Sequence, residues 1–289
     1  MTQIIRSLDE IAPNYDVLFC DLWGCLHNGV AAFPAAVAAL QDFRAQGGRV
    51  VLLTNAPRPQ QYVAAQLDRM GVPRAAWDAI VSSGDAAQDA MFAGAVGRRV
   101  WAIAQPKDEG FFTDIPEEWR DAPPITRVPL DEAEGIVCCG LFDDLTEVPE
   151  DYRGRLMLAR ERGLTLLCAN PDVVVDMGEK RLYCAGALAE LYEDLGGTSL
   201  YFGKPHPPIY DLARRRLGLD DNARILAIGD GIATDIAGAA GEGLDALFIT
   251  GGLAFDQFGP DVENPDPARL AEWLALRAQD PAYSIGRLR

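Results

Sequence analysis

Cations are scarce in this chain. It has 26 Lys and Arg against 43 Asp and Glu, a formal charge of -17. That balance opposes binding to nucleic acid or an anionic membrane, and neither is expected as a partner. It leaves room for a small anionic ligand, because a local cation or metal overrides the global field. No apolar run of about 18 residues occurs, so no membrane-spanning helix is expected. The opening stretch, Met1 to Glu10, lacks the apolar core of a secretion signal. No Cys-x-x-Cys pair exists, and most of the six cysteines (20, 25, 138, 139, 168 and 184) sit in apolar runs. Reduced, buried thiols follow, not a disulfide frame or a zinc site, and a cytoplasmic location is expected. Internal repeats and low-complexity tracts are also missing. At 289 residues with 49% apolar composition, one large domain or two smaller ones are expected.

Strand-like runs alternate with helix-like stretches. Val17 to Cys20 is a short apolar run without helical spacing, stopped by Asp21 and followed by the loop formers Gly24, Asn28 and Gly29. A helix follows from about Pro34 to Ala45, with Pro34 in its first turn. Arg49 to Leu53 reads as a strand ending in Thr54-Asn55. Tyr62, Ala65, Leu67 and Met70 belong to a second helix closed by Gly71, and Ala79 to Val81 is a strand. Such repeats imply a parallel sheet with helices on both faces. Residues 105–124 break this texture. Apolar runs return at Gly135 to Leu141 and Leu164 to Ala169, with a charged helix between them. Val173 to Asp176, Gly178-Glu179 and Arg181 to Cys184 read as a hairpin. Leu188, Leu191 and Leu195 then share a helical face. Strands follow at Ser199 to Phe202, Arg224 to Ile228 and Ala246 to Ile249, and Leu270, Trp273 and Leu274 mark a last amphipathic helix. The expected division is a core of residues 1–85 and 178–289, with 86–177 as an inserted α/β unit.

Four strand ends carry polar groups: Asp21, Thr54-Asn55, Lys204, and Asp230 with Asp235. With parallel strands, all are expected along one sheet edge, where open α/β sheets bind ligands. Singly, each reads equally as a turn or a cap. In order, they resemble the haloacid dehalogenase-like superfamily in its phosphatase branch. That family has an apolar strand ending in Asp, a Ser or Thr after a second strand, a Lys, then Gly-Asp with a second acid. Here these are Asp21, Thr54, Lys204 and Gly229-Asp230 through Thr234-Asp235. The α/β insert between Thr54 and Lys204 is similar to the class IIA cap of sugar-phosphate, nucleotide and pyridoxal phosphate phosphatases.

The resemblance implies a Mg²⁺-dependent phosphatase on a Rossmann-like core, acting on a small phosphorylated metabolite, with a sugar phosphate as first guess. It implies that Asp21, the Trp23 carbonyl, Asp230 and Asp235 hold the ion, the last directly or through water. Asp21 would form an aspartyl phosphate, Thr54 and the Asn55 backbone N–H would donate to the phosphoryl group, and Lys204 would offset its charge. Asn55, Asn170, Asp172 and Trp23 are further candidates for substrate contact, and Asn170-Pro171-Asp172 is also a plain turn. Enzymes of this kind are often dimers, and no stretch of the sequence marks an interface.

One position departs from the pattern. The family usually carries Asp two residues after the nucleophile, where it protonates the leaving oxygen and later activates water. This chain has Trp23, and indole does neither. A positioned acid/base contributes roughly 10²- to 10⁴-fold, so the departure bears on rate. His27 is a candidate substitute, its alternative role being a loop histidine that contacts backbone. Two rival readings follow from Trp23. One is a non-catalytic phosphometabolite-binding protein. The other is a phosphonate or acyl-phosphate hydrolase, whose leaving groups need less help from an acid.

Overall fold

Two sheets organise the protein. The structure, a computed structural model, describes residues 2–177, 180–220 and 222–289, without the side chains of 176 and 177. The chain divides into two compact units: Met1–Thr54, Ala64–Val81 and Tyr210–Arg289 form the first, and Asn55–Val63 with Ser82–Ile209 the second.

A seven-stranded sheet belongs to the first unit, in the order Gln3–Ile4, Tyr283–Ile285, Asp245–Ile249, Ile225–Gly229, Val17–Cys20, Arg49–Thr54, Ala79–Ser82. Val17–Cys20 is parallel to both neighbours. All four of its residues are buried, as its unbroken apolar run requires when both faces are covered. Helix Pro34–Ala45 turns Ala36, Leu40 and Phe43 inward, on the three- and four-residue spacing. At the other flank Phe248 stacks on Trp273, with ring centroids 5.6 Å apart, and packs with Phe258, Leu270 and Leu274.

Strand order places the functional edge. From Val17–Cys20 the chain moves outward one way, to Arg49–Thr54 and then Ala79–Ser82. Ile225–Gly229 lies on its other side, and the chain moves outward the opposite way from there. Val17–Cys20 and Ile225–Gly229 therefore flank the topological switch point, where α/β sheets open a crevice beyond the strand C-termini.

The second unit has a five-stranded sheet in the order Thr198–Tyr201, Thr165–Cys168, Gly135–Cys138, Arg99–Ile103, Thr126–Arg127, parallel throughout. Its cores lie under helices Ser83–Ala93 and Ala185–Asp194. Helix Ser83–Ala93 starts in a capping box: Asp85 N–H donates to Ser82 Oγ and Ser82 N–H to Asp85 Oδ2, both at 3.0 Å.

The second compact unit runs to Ile209 and takes in helix Ala185–Asp194 and strand Thr198–Tyr201. It also claims Asn55–Val63. Lys204 follows Thr198–Tyr201, a strand of the second sheet. A strand's sequence names no partner: Thr198–Tyr201 pairs in parallel with Thr165–Cys168, and Leu200 and Tyr201 are half-buried against the two cores of the second unit. The hairpin expected near 175 is present as antiparallel Val174–Met177 and Lys180–Tyr183. Its expected turn, Gly178-Glu179, lies outside the described residues. Strand Arg99–Ile103 was not read in advance despite its apolar run, and the short strands at both ends of the chain carried too little pattern to be read.

Candidate active site

Register brings three predicted residues to one edge of the first sheet. Cys20 pairs with Ile228 on one side and Leu52 on the other. Asp21 follows Cys20, Asp230 stands two residues past Ile228, and Thr54 two past Leu52, so all three end within one residue of the same level. Asp21 N–H donates to the Ile228 carbonyl at 2.8 Å, which holds the nucleophile candidate against the neighbouring strand. Asp21, Thr54, Asp230 and Asp235 are buried at 7%, 3%, 6% and 5% exposure. Three acids at one apolar edge need counter-charge, since isolated carboxylates are costly to bury.

The residues fit a divalent cation. Ligand atoms of Asp21, Asp230 and Cys25 lie within 4.8 Å of one another, the one such group among the described residues. Asp230 sits in a cradle of backbone. A Cβ on Gly24 would lie 1.9 Å from Asp230 Oδ2, and one on Gly252 would lie 2.0 Å from the same atom. The Leu253 N–H donates to that oxygen at 2.9 Å. Two carboxylates supply the hard oxygens that Mg²⁺ or Ca²⁺ prefers. The Cys25 thiol is a soft donor and is kept protonated: burial first, then the Asp230 and Asp21 carboxylates, push its pKa well up.

Asp235 stands apart from that group. It lies in a π-helical turn, Ile232–Ile236, where Ile236 N–H donates to the Gly231 carbonyl at 3.1 Å. The wide turn aims the Asp235 carboxylate back at the strand end, and Gly231 N–H donates to Asp235 Oδ2 at 3.1 Å. Single π turns of this kind occur at functional sites. The sequence suggests a helix here and does not reveal its widened first turn.

The Gly24 constraint gives a first prediction. Its φ is +72°, a region costly for residues with a Cβ. Gly24→Ala is expected to displace the Asp230 carboxylate and weaken Mg²⁺ binding by roughly 10- to 100-fold. Calorimetric titration with Mg²⁺ checks this, and an unchanged affinity would overturn it.

Trp23 and His27 share the loop after Asp21. Their rings meet edge to face at 5.3 Å, and a Cβ on Gly29 would lie 2.2 Å from the Trp23 indole. His27 is 1% exposed, and Gly29 N–H donates to its Nδ1 at 3.0 Å. It is therefore the backbone-contacting loop histidine. Burial pulls its pKa from 6.5 to about 4, so the ring is neutral at physiological pH and has no proton to lend as an imidazolium. The unfolded chain takes up this proton below about pH 6.5 and the folded protein not until about pH 4. This contribution to stability is full above pH 6.5 and is lost as pH falls through 4, on the order of 3 kcal/mol. His27→Asn keeps an acceptor for Gly29 without titrating. Its denaturation free energy is expected to fall less steeply than the wild type's between pH 6.5 and 4, and equal slopes would refute the assignment.

Asn55, Asn170, Asp172 and Lys204 come together in the second unit. All but Asp172 are buried, at 8% exposure or less. Asn55 bonds to both Asp172 and Lys204, and Asp172 N–H donates to Asn170 Oδ1 at 3.0 Å. Beyond Lys204, His206 stacks on Tyr201 at 4.8 Å and supports the loop.

Known proteins bear out the class that fold and edge define. A family model described as haloacid dehalogenase-like hydrolase matches residues 18–115, and a second, HAD-hydrolase-like, matches residues 201–272. A crystal structure of a haloacid dehalogenase-like hydrolase from Brucella suis 1330 is 41% identical with a TM-score of 0.83, covering 99% of this chain and 100% of that one. The chain belongs to the haloacid dehalogenase-like hydrolase family. The D-glycerol 3-phosphate phosphatase of Mycobacterium tuberculosis is 27% identical over 252 residues, 85% of this chain. This chain spans 66% of that relative's length. A crystal structure of a glycerol phosphate phosphatase from Mycobacterium tuberculosis with magnesium is 25% identical with a TM-score of 0.65, covering 92% of this chain and 75% of that one. Among the described residues no helix is long and apolar enough to cross a membrane.

Proposed function

We propose that this hydrolase is a Mg²⁺-dependent phosphatase of a small phosphorylated metabolite, with a glycerol or sugar phosphate as first candidate. The observation that carries this reading is the Asp21–Asp230 pair at the switch point of the first sheet. Two mycobacterial relatives support it, one named a D-glycerol 3-phosphate phosphatase and one a glycerol phosphate phosphatase crystallised with magnesium.

Asp21 attacks the phosphorus, forming an aspartyl phosphate as the ester P–O bond breaks and the leaving oxygen takes up a proton from solvent. Water then attacks that phosphorus, returns the carboxylate and releases inorganic phosphate. Asp21, Asp230, the Trp23 carbonyl and, directly or through water, Asp235 would hold the Mg²⁺, whose charge lets an anionic nucleophile approach an anionic ester. Thr54 donates its hydroxyl to a phosphoryl oxygen, and Lys204 supplies the cation that offsets the transferred group. These roles for Thr54 and Lys204, and a cap role for residues inserted between them, rest on residue type and order.

Release of phosphate from a panel of phosphorylated metabolites is expected with Mg²⁺ and is expected to stop with EDTA. Equal release in both conditions would exclude the metal role. The Trp23 departure favours a second reading, phosphometabolite binding without turnover. Calorimetric affinity for a sugar phosphate that survives with no phosphate released would select that reading.

A further inference from the structure

The Asn55 side chain makes a closed ring with the backbone of a single residue, Lys204. Its Oδ1 accepts from Lys204 N–H at 2.7 Å, and its Nδ2 donates to the Lys204 carbonyl at 3.0 Å. Paired strand residues exchange both bonds in the same way, and here a side-chain amide takes the place of a neighbouring strand. The second Nδ2 hydrogen goes to Asp172 Oδ1 at 2.8 Å. This pattern sets the amide's orientation: a flip would face Nδ2 to the Lys204 N–H and Oδ1 to two acceptors. Asp172 is itself tied to Asn170 through its N–H. The surroundings leave little slack, since a Cβ on Gly203 would lie 2.5 Å from Asn55 Oδ1 and 2.7 Å from Ser83 Oγ.

We propose that Asn55 is the positioning residue of Lys204, and that Asp172 orients it, so that both act through the lysine rather than by touching substrate. The inference rests on the reading of Lys204 as the cation that meets the phosphoryl group. A lysine is a point charge on a flexible four-carbon stem, so its reach is defined only if its backbone root is held. Asn55 holds that root from both sides of the Cα atom. It stands directly after Thr54 in the chain.

The test is a double-mutant cycle with Asn55→Ala, Lys204→Ala and the double variant, assayed on p-nitrophenyl phosphate and on a sugar phosphate. Asn55→Ala is expected to lower kcat/KM by about 10²-fold, the cost of a misplaced group, and equally for both substrates. In the Lys204→Ala background it is expected to add less than about twofold. Losses that multiply, or that differ between aryl and sugar esters, would overturn the proposal, because Asn55 would then act independently or touch the substrate. A second readout needs no turnover: amide hydrogen exchange at Lys204 is expected to accelerate in Asn55→Ala, and unchanged exchange would also overturn it. Should Asn55→Ala fail to fold, Asp172→Ala releases the orienting bond alone and is expected to show the same non-additivity with a smaller loss, about tenfold. If Lys204→Ala keeps wild-type turnover, or the wild type has none, the phosphatase role of the lysine fails, and the exchange result alone decides whether Asn55 holds it.

Discussion

Asp21→Asn is expected to abolish phosphate release, by at least ~10⁴-fold, while leaving the fold intact. The replacement is nearly isosteric, and residue 21 is buried against the next strand through its backbone N–H, which asparagine retains. What changes is chemistry. An amide oxygen has no charge to attack phosphorus and forms no stable phosphate ester, and it is a weaker oxygen ligand beside Asp230. Steady-state phosphate release with Mg²⁺ measures the loss, and calorimetry with a non-hydrolysed phosphate analogue shows whether binding persists. Should Asp21→Asn and the wild type release phosphate equally, Asp21 is not the nucleophile.

Trp23→Asp is expected to raise turnover of an alkyl phosphate by roughly 10²- to 10⁴-fold. The backbone carbonyl is unchanged by the substitution, so the gain would come from a carboxyl placed to protonate the leaving oxygen. The wild type should then show a steep dependence on leaving group. p-Nitrophenolate departs without a proton, whereas an alkoxide does not, so the aryl ester is expected to be hydrolysed faster. Trp23→Asp flattens that dependence. Removing the indole also loosens its packing on His27 and Gly29. Trp23→Asn is the control, since it makes the same loss of packing without an acid and is expected to give no gain. Equal rates for the aspartate and asparagine variants would mean that protonation is not what limits this enzyme.

Much of the first unit was legible in advance. Val17–Cys20 stood out as a buried strand because both its faces are covered and no polar residue interrupts it. Helix Pro34–Ala45 was announced by proline at its start and by its apolar spacing. The nucleophile candidate and its acid partner were found from strand ends followed by loop formers. Less visible were Gly24 and Gly252, which close on Asp230 from segments far apart in the chain, and Cys25, which joins the acid pair through a turn. Their part depends on backbone lying so close to Asp230 that an added Cβ would meet its carboxylate at about 2 Å, and periodicity carries no such information.

By itself the amino-acid order determined the chemistry on offer: a family, an alternating α/β architecture, an acid at the end of a buried strand, and a tryptophan where a proton donor is usual. These depend on residue type and short-range spacing, which a linear chain states openly. Tertiary structure decided allegiance. It paired Thr198–Tyr201 with the second sheet, closed the Asn55 carboxamide around the Lys204 backbone, and buried His27 as a neutral acceptor. Each of these depends on which surfaces desolvate together and which donors find acceptors up to 149 residues away, and that is settled only when the whole chain is packed.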